Sequence, residues 1–136
     1  NSFTRLSGIE AQVKHSIAPG SWLWASYAYI DNDSTHRIER KFTALHSGSL
    51  AVAHRFASNW NGSAAIYVQR DQNYQPGRWG HDERLDLRMA RDFQLGGSTL
   101  QLSLNAQCRL DDTPHIFIDN NYDDRVYAYA GIRLTH

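Results

Sequence analysis

Apolar and polar residues alternate along most of the chain, most regularly over residues 98–108. Every second position in this stretch is apolar, namely Leu100, Leu102, Leu104, Ala106 and Cys108. A period of two predicts a β-strand, because successive side chains leave a strand on opposite faces. A strand of about ten residues is long enough to cross a bilayer when tilted. It also suits a sheet with one face in water.

The same alternation recurs and predicts seven strands, at residues 6–15, 21–30, 46–56, 60–70, 84–93, 98–108 and 124–135. Short turns at 17–20, 57–59 and 94–97 alternate with long polar segments at 31–45, 71–83 and 109–123. We therefore predict an all-β fold of antiparallel up-and-down strands. Short periplasmic turns and long extracellular loops are typical of transmembrane β-barrels, here of about seven or eight strands.

The two predicted faces differ in chemistry. One face carries mainly Leu, Val, Ala and Ile, and the other carries charged residues, namely Glu10, Lys14, Arg55, Asp86, Arg88 and Arg133. In a membrane barrel the apolar face meets lipid and the polar face lines the lumen. Aromatic residues near strand ends fit an interfacial girdle, namely Phe56, Trp60 and Phe93. His54 and Arg91 are polar residues at positions of the apolar face. Both lie close to short turns, where long polar side chains can extend toward lipid headgroups.

Composition narrows the function classes. Lysines and arginines balance aspartates and glutamates at 14 each, so no basic surface predicts nucleic-acid binding. The single cysteine, Cys108, excludes an internal disulfide and a cysteine-based zinc site. Mean hydropathy is −0.58, and no apolar run is long enough for a membrane helix. A low mean hydropathy is compatible with a barrel, whose strands alternate.

No catalytic or metal-binding pattern stands out, and we predict neither an enzyme nor a cofactor. The seven histidines lack the close spacing of metal ligands. Ser47 and Ser49 lie near His46, but strand neighbours point to opposite faces and no triad pattern accompanies them. Acidic residues cluster around the last long loop, namely Asp111, Asp112, Asp119, Asp123 and Asp124. A calcium site is one interpretation, and we favour a solvated acidic loop facing lipopolysaccharide.

Two groups of residues are candidates for ligand contact. Arg55, Arg88 and Arg133 carry charge into the predicted lumen, where arginines also brace the barrel wall. Tyr74, Arg78 and Trp79 lie in the second long loop, where exposed aromatic residues often contact ligands. We expect solute contacts from these six residues.

Several short segments resemble the strands near the end of TonB-dependent outer-membrane receptors. They are Gly8-Ile9-Glu10-Ala11, Leu23-Trp24-Ala25-Ser26-Tyr27-Ala28-Tyr29, His46-Ser47-Gly48-Ser49-Leu50 and Arg84-Leu85-Asp86-Leu87-Arg88. The runs 105–112 and 119–127 are similar to that family's closing hairpin and last loop. The order and spacing match over nearly the whole chain, although each segment is short and built of common strand residues.

The resemblance implies that residues 1–136 form the C-terminal part of a 22-stranded barrel in the outer membrane of a Gram-negative bacterium. A plug and the earlier strands would lie upstream. Such receptors take up ferric siderophores, cobalamin or similar scarce solutes with energy from the TonB complex. In that family the choice of solute depends largely on the plug and on loops outside these residues. One departure is His136 at the chain's end, where the family usually carries an aromatic residue.

Two other functions remain open from the sequence. One is a pore or export barrel that follows a periplasmic helical-repeat domain, which the upstream sequence would distinguish from a receptor. The other is a small eight-stranded barrel that binds an apolar ligand or acts as an anchor. Solubility without detergent would count against every membrane interpretation.

Overall fold

The structure is a computed structural model that describes residues 3–35, 44–57, 59–75, 78–111 and 125–136, with the backbone alone at 71–75 and 78–80. Seven strands make up the described fold. They are β1 (Thr4–Ala18), β2 (Ser21–Ser34), β3 (His46–Arg55), β4 (Trp60–Gln75), β5 (Arg78–Leu95), β6 (Ser98–Arg109) and β7 (Val126–Thr135). The described residues contain no helix long and apolar enough to cross a membrane.

All seven strands form one antiparallel sheet in sequence order, from β1 to β7. This confirms the predicted all-β, up-and-down arrangement. In the described part of the chain β1 and β7 each pair with one neighbour and not with each other. The sheet is therefore open, and closure into a barrel stays a prediction.

The register of the strands aligns the apolar positions across the sheet. Directly opposite residues share a face, so one continuous row runs through Ala25, Leu50, Ile66, Leu85, Cys108 and Val126. The other face holds a parallel row through Ser63, Arg88, Asn105 and Tyr129. We call these surfaces the apolar face and the polar face. In every predicted strand, the alternate positions that carry mainly apolar residues lie on the apolar face.

The β4–β5 connection corrects the sequence prediction of a long loop at 71–83. The strands continue to Gln75 and restart at Arg78, so the polar segment is mostly a two-stranded extension of the hairpin. Register shifts interrupt it between Arg70 and Gln72 and between Asn73 and Gln75. Within it, Gln72 pairs with Gly80, Asn73 with Trp79 and Gln75 with Arg78. Both of its surfaces are polar in sequence, so its strands lack the alternation that marks a half-buried strand.

The β1–β2 hairpin is likewise longer than predicted. β1 spans Thr4–Ala18 rather than 6–15, and β2 includes residues 31–34 of the predicted loop 31–45. β5 includes residues 94–95 of the predicted turn 94–97. Residues 36–43 and 112–123 of the predicted loops lie outside the described residues, as does Asp124, the first residue of the predicted seventh strand. Long connections thus persist at β2–β3 and β6–β7, whereas β4–β5 is a hairpin.

The short turns follow from residues that accept a left-handed backbone. Gly20 has φ of 76° after β1, and Gly96 has φ of 61° between β5 and β6. Leu95 pairs directly with Ser98, so the Gly96–Gly97 pair forms a two-residue hairpin loop. Asn59, before β4, is the one described non-glycine residue with positive φ, at 63°. Asparagine tolerates this conformation better than most residues.

The described sheet has almost no hydrophobic core. Ala90 is the one fully buried apolar residue in the described part of the chain. The accessible surface is 10172 Å², whereas a compact monomer of 15.5 kDa would expose roughly 7,200 Å². A sheet normally covers its apolar face with another layer. Here that face is uncovered.

Candidate functional site on the polar face

A hydrogen-bonded network links three strands on the polar face near the short turns. Asp92 on β5 accepts a hydrogen bond from Gln101 Nε2 at 2.7 Å and from Asn61 Nδ2 at 3.2 Å. The Gln101 side-chain oxygen accepts from Arg88 Nη2 at 2.7 Å. All four side chains are partly buried. Each link joins neighbouring strands, so the network fixes these polar side chains against the sheet.

The predicted arginines lie around this network without converging on one pocket. Arg88 belongs to it, and Arg133 on β7 lies directly opposite Gln101. Arg55 lies opposite Asn61 at the end of β3, where its backbone N–H donates to Ser21 Oγ at 3.2 Å. Arg55 and Arg133 are exposed, whereas Arg88 is half-buried. Arg88 thus belongs to the network, and the other two arginines border it.

A second polar site lies at the opposite end of the same face. It is a cavity of about 470 Å³ on the side of the network away from the short turns. Its lining comes from four strands and includes Tyr67, Gln69, Arg84, Gln107, Arg109 and Tyr127. We call it the loop-end pocket. Cavities of this size are in the range that holds small-molecule ligands.

Two arginines that line the loop-end pocket, Arg84 and Arg109, each have a carboxylate partner. Arg84 and Arg109 lie directly opposite each other on β5 and β6, a placement that is unfavourable for like charges unless each is neutralised. The Arg84 guanidinium carbon is 4.6 Å from the Tyr67 ring centroid, and its Nη2 donates to Asp86 Oδ2 at 3.0 Å. Arg84 therefore has its own carboxylate and aromatic partners.

The partner of Arg109 is Asp111, which is 3% exposed. Arg109 Nε lies 3.3 Å from Asp111 Oδ1, an ion pair without hydrogen-bond alignment. Asp111 Oδ2 accepts a hydrogen bond from the backbone N–H of Glu83 at 2.8 Å. A buried carboxylate with both contacts ties the end of β6 to β5. Asp111 is therefore a structural anchor of the pocket rim.

The second predicted group occupies the far end of the β4–β5 hairpin. Tyr74 lies in β4, and Arg78 and Trp79 open β5. Backbone pairing brings Trp79 opposite Asn73 and Arg78 opposite Gln75. The sequence placed these three residues in a loop, and the structure places their backbone in strands instead. Their side chains lie outside the described residues, so ligand contact there stays a prediction.

Sequence reasoning missed the residues that line the loop-end pocket, above all Tyr67, Arg84, Arg109 and Tyr127. The sequence did contain an indication of this site. Each of these residues occupies a polar-face position near the end of its predicted strand that leads to a long polar segment. The strands run alternately up and down, so these residues are far apart in sequence and meet only through the register. The candidate arginines Arg55, Arg88 and Arg133 follow from charge and from their position on the polar face of each strand, and neither criterion shows which strands bring residues together.

The polar face can bind a polar solute through guanidinium, carboxylate, amide and phenol groups. In the described part of the chain no group of three or more His, Cys, Asp or Glu side chains is placed to hold a metal ion. Of the acidic cluster considered for calcium, Asp111 is described, and Asp112, Asp119, Asp123 and Asp124 lie outside the described residues. Cys108, on the apolar face opposite Leu85, is a free thiol.

No protein-family model, curated protein or solved structure matches this chain.

Proposed function

We propose that the chain forms part of the wall of an outer-membrane β-barrel in a Gram-negative bacterium. The observation that carries this proposal is the exposure of the apolar face. Leu104 is 69% exposed and Ile132 is 78% exposed, while the polar residues Gln101, Asn105 and Gln107 on the opposite face are partly buried. A contiguous apolar surface of this kind marks contact with lipid or with another protein.

Strand length and backbone pairing support contact with lipid. The strands span 10 to 18 residues, and a tilted strand crosses the hydrocarbon layer with about 9–11 residues. Strand edges do not occur exposed in lipid, because unpaired N–H and C=O groups are costly there. The free edges of β1 and β7 therefore call for further strands, as in the larger barrel that the sequence resemblance implies.

Within such a barrel the polar face lines the lumen, and the loop-end pocket faces the extracellular side. We propose a receptor or transporter of the TonB-dependent type, which takes up a scarce solute such as a ferric siderophore. Its partners are outer-membrane lipid and lipopolysaccharide, the other strands of the barrel with their plug, and the TonB complex. The solute-contact residues proposed are the lining of the loop-end pocket together with the hairpin tip at Tyr74, Arg78 and Trp79.

Site-directed spin labelling tests the membrane placement. In a Cys108→Ser background, labels at Leu102→Cys on the apolar face and at Gln101→Cys on the polar face occupy adjacent positions of β6. In reconstituted vesicles we expect the Leu102 label to collide with oxygen, which concentrates in lipid, and the Gln101 label with a water-soluble nickel chelate. Equal accessibility of both labels to the nickel chelate would exclude a lipid-facing surface and favour a soluble barrel.

Uptake is tested separately in cells. We expect accumulation of ⁵⁵Fe-ferrichrome or ⁵⁷Co-cyanocobalamin to depend on this protein and to fall to background in a TonB-deficient strain. Diffusion of these or smaller solutes that persists without TonB would instead favour the pore or export barrel.

A further inference from the structure

Two arginines on the apolar face of the same hairpin have different surroundings. Arg70 lies at the loop end of β4, and its Nη2 contacts Glu83 Oε1 at 2.6 Å. Arg91 lies at the turn end of β5, and no described carboxylate forms an ion pair with it. The apolar face thus carries a neutralised cation at one end and an uncompensated cation at the other.

Aromatic rings flank Arg91 in place of a carboxylate. Its guanidinium carbon is 5.0 Å from the Phe93 ring centroid and 5.4 Å from the Trp60 ring centroid. Cation–π contacts hold the planar group through its face. Its N–H edges remain available for an anion, and a guanidinium pairs with phosphate through two parallel hydrogen bonds. Arg91 is therefore positioned for an oxyanion that comes from outside the described chain.

An apolar trough of about 760 Å³ lies on the same face, toward the middle of the sheet from this arginine. Small side chains form its floor, and its lining includes Gly62, Ala64, Leu87, Met89, Leu104 and Ala106. Gly62 pairs with Met89 and Trp60 pairs with Arg91, so Arg91 lies one pleat nearer to the turn than the trough. His54 and Phe56 close the β3 side, with their ring centroids 4.6 Å apart in an edge-to-face contact.

We propose that Arg91 and this trough bind one glycerophospholipid, with the headgroup phosphate on the Arg91 guanidinium and an acyl chain in the trough. The proposal rests on the membrane placement proposed above. The order of groups fits a lipid, because the cation lies toward the turns and the apolar trough extends toward the middle of the sheet. In the proposed barrel the short turns are periplasmic, and the leaflet on that side of an outer membrane consists of phospholipid.

The charge of Arg91 identifies the headgroup chemistry, and the trough identifies the chain. A free phosphate ion would use the arginine but leave the trough empty. A neutral diacylglycerol would use the trough but leave the arginine unpaired. A glycerophospholipid satisfies both features at once.

Native mass spectrometry of the detergent-purified protein, titrated with dimyristoylphosphatidylglycerol, tests the proposal. We expect one tightly bound lipid per chain and about tenfold weaker binding in Arg91→Gln, because a charge-assisted hydrogen bond is lost. The matched control Arg70→Gln removes a cation from the same face and should bind as the unaltered protein does. Equal binding by Arg91→Gln and Arg70→Gln would overturn the proposal.

Further comparisons separate the two halves of the site. Ala106→Phe fills the trough and should weaken binding of phosphatidylglycerol and of dimyristoylglycerol alike. Dimyristoylglycerol lacks the phosphate, so it should bind the unaltered protein about tenfold more weakly than phosphatidylglycerol, and Arg91→Gln should abolish that difference. Inorganic phosphate could instead occupy Arg91 by itself. If added phosphate removes the effect of Arg91→Gln while the lipid stays bound through its acyl chain, Arg91 binds a free ion and the lipid assignment is overturned.

The spin-label experiment distinguishes failure of this inference from failure of the proposed function. A Leu102 label in water overturns the membrane placement and this site with it. A Leu102 label in lipid, combined with lipid binding that does not depend on Arg91, overturns only the phospholipid site. Migration of unheated samples on denaturing gels, together with circular dichroism, shows that each variant is folded before lipid binding is compared.

Discussion

The two faces of this sheet differ in chemistry, and the apolar face is exposed where a soluble sheet would cover it. In a soluble antiparallel sheet the apolar face is covered and the polar face meets water. Here Leu104 is 69% exposed, whereas its neighbour Asn105 on the opposite face is half-buried. The polar side chains are engaged with one another through the network around Asp92 and the pairs of the loop-end pocket. On the apolar face, large side chains such as Leu50 and Met89 are also exposed.

This contrast shows which surface needs a partner. The polar face satisfies much of its hydrogen-bonding capacity within the chain, so water or a solute can meet it at low cost. The apolar face gains nothing from water, since each exposed leucine forgoes roughly 1.5–3 kcal/mol of burial. The environment of the apolar face therefore decides the stability of the sheet.

The largest expected effect comes from placing a charge on each face at adjacent positions. In lipid vesicles Leu104→Arg should reduce the free energy of unfolding by about 2–4 kcal/mol, because the side chain lies in the hydrocarbon. Ser103→Arg, one residue away on the polar face, should cost clearly less, because it disturbs only the long hydrogen bonds of Ser103 Oγ at 3.4 Å and the guanidinium can extend into water. Urea titration of the reconstituted protein measures both. Equal losses in the two variants would contradict the assignment of the faces.

An intermediate effect is expected from removing the centre of the polar network. Asp92→Ala leaves Gln101 and Asn61 without their shared acceptor and should cost about 1–3 kcal/mol in the same titration. The matched control is Gln94→Ala on the same strand and face. Gln94 is exposed and its one described partner is Thr99, at 3.2 Å, so about 0.5 kcal/mol or less is expected. A null effect of Asp92→Ala would show that the network adds nothing to stability.

The smallest effect is expected from Arg70→Gln. Its ion pair with Glu83 is short, but the two side chains are 61% and 24% exposed. Exposed pairs contribute about 0–1 kcal/mol and are screened by salt. We expect a loss below about 0.5 kcal/mol that disappears at 1 M salt. A larger loss of unfolding free energy that persists at 1 M salt would show that Arg70 and Glu83 are shielded from water. It would contradict the exposure of this end of the apolar face.

Much of the fold was legible in the alternation alone. All seven strands lie where the period of two placed them, since a strand with one apolar face must alternate. The strand residues that alternation does not predict lie where both surfaces of a hairpin are polar, within 71–83 and 31–34. Backbone hydrogen bonds between two strands form there without any apolar stripe, so no hydrophobic pattern marks them.

The sequence predicted the face on which the candidate site residues lie, but not their partners. Arg88 and Arg133 were correctly assigned to the polar face by parity, and Arg91 to the apolar face. Their partners were not legible, because Gln101 lies beside Arg88 through pairing of β5 with β6 and not through sequence spacing. The loop-end pocket was missed for the same reason, since Tyr67 and Tyr127 meet Arg84 and Gln107 only across strands.

The sequence by itself determined which residues share a side of each strand, because that depends only on the alternation of the extended backbone. The tertiary structure decided which rows of different strands align, since register is set by hydrogen bonding between strands and by turns such as Gly96–Gly97. It also decided that Arg91 lies between Trp60 and Phe93 while Arg70 meets Glu83. Two arginines of the same parity thereby acquired different chemistry, because a side chain's environment comes from its neighbours in space.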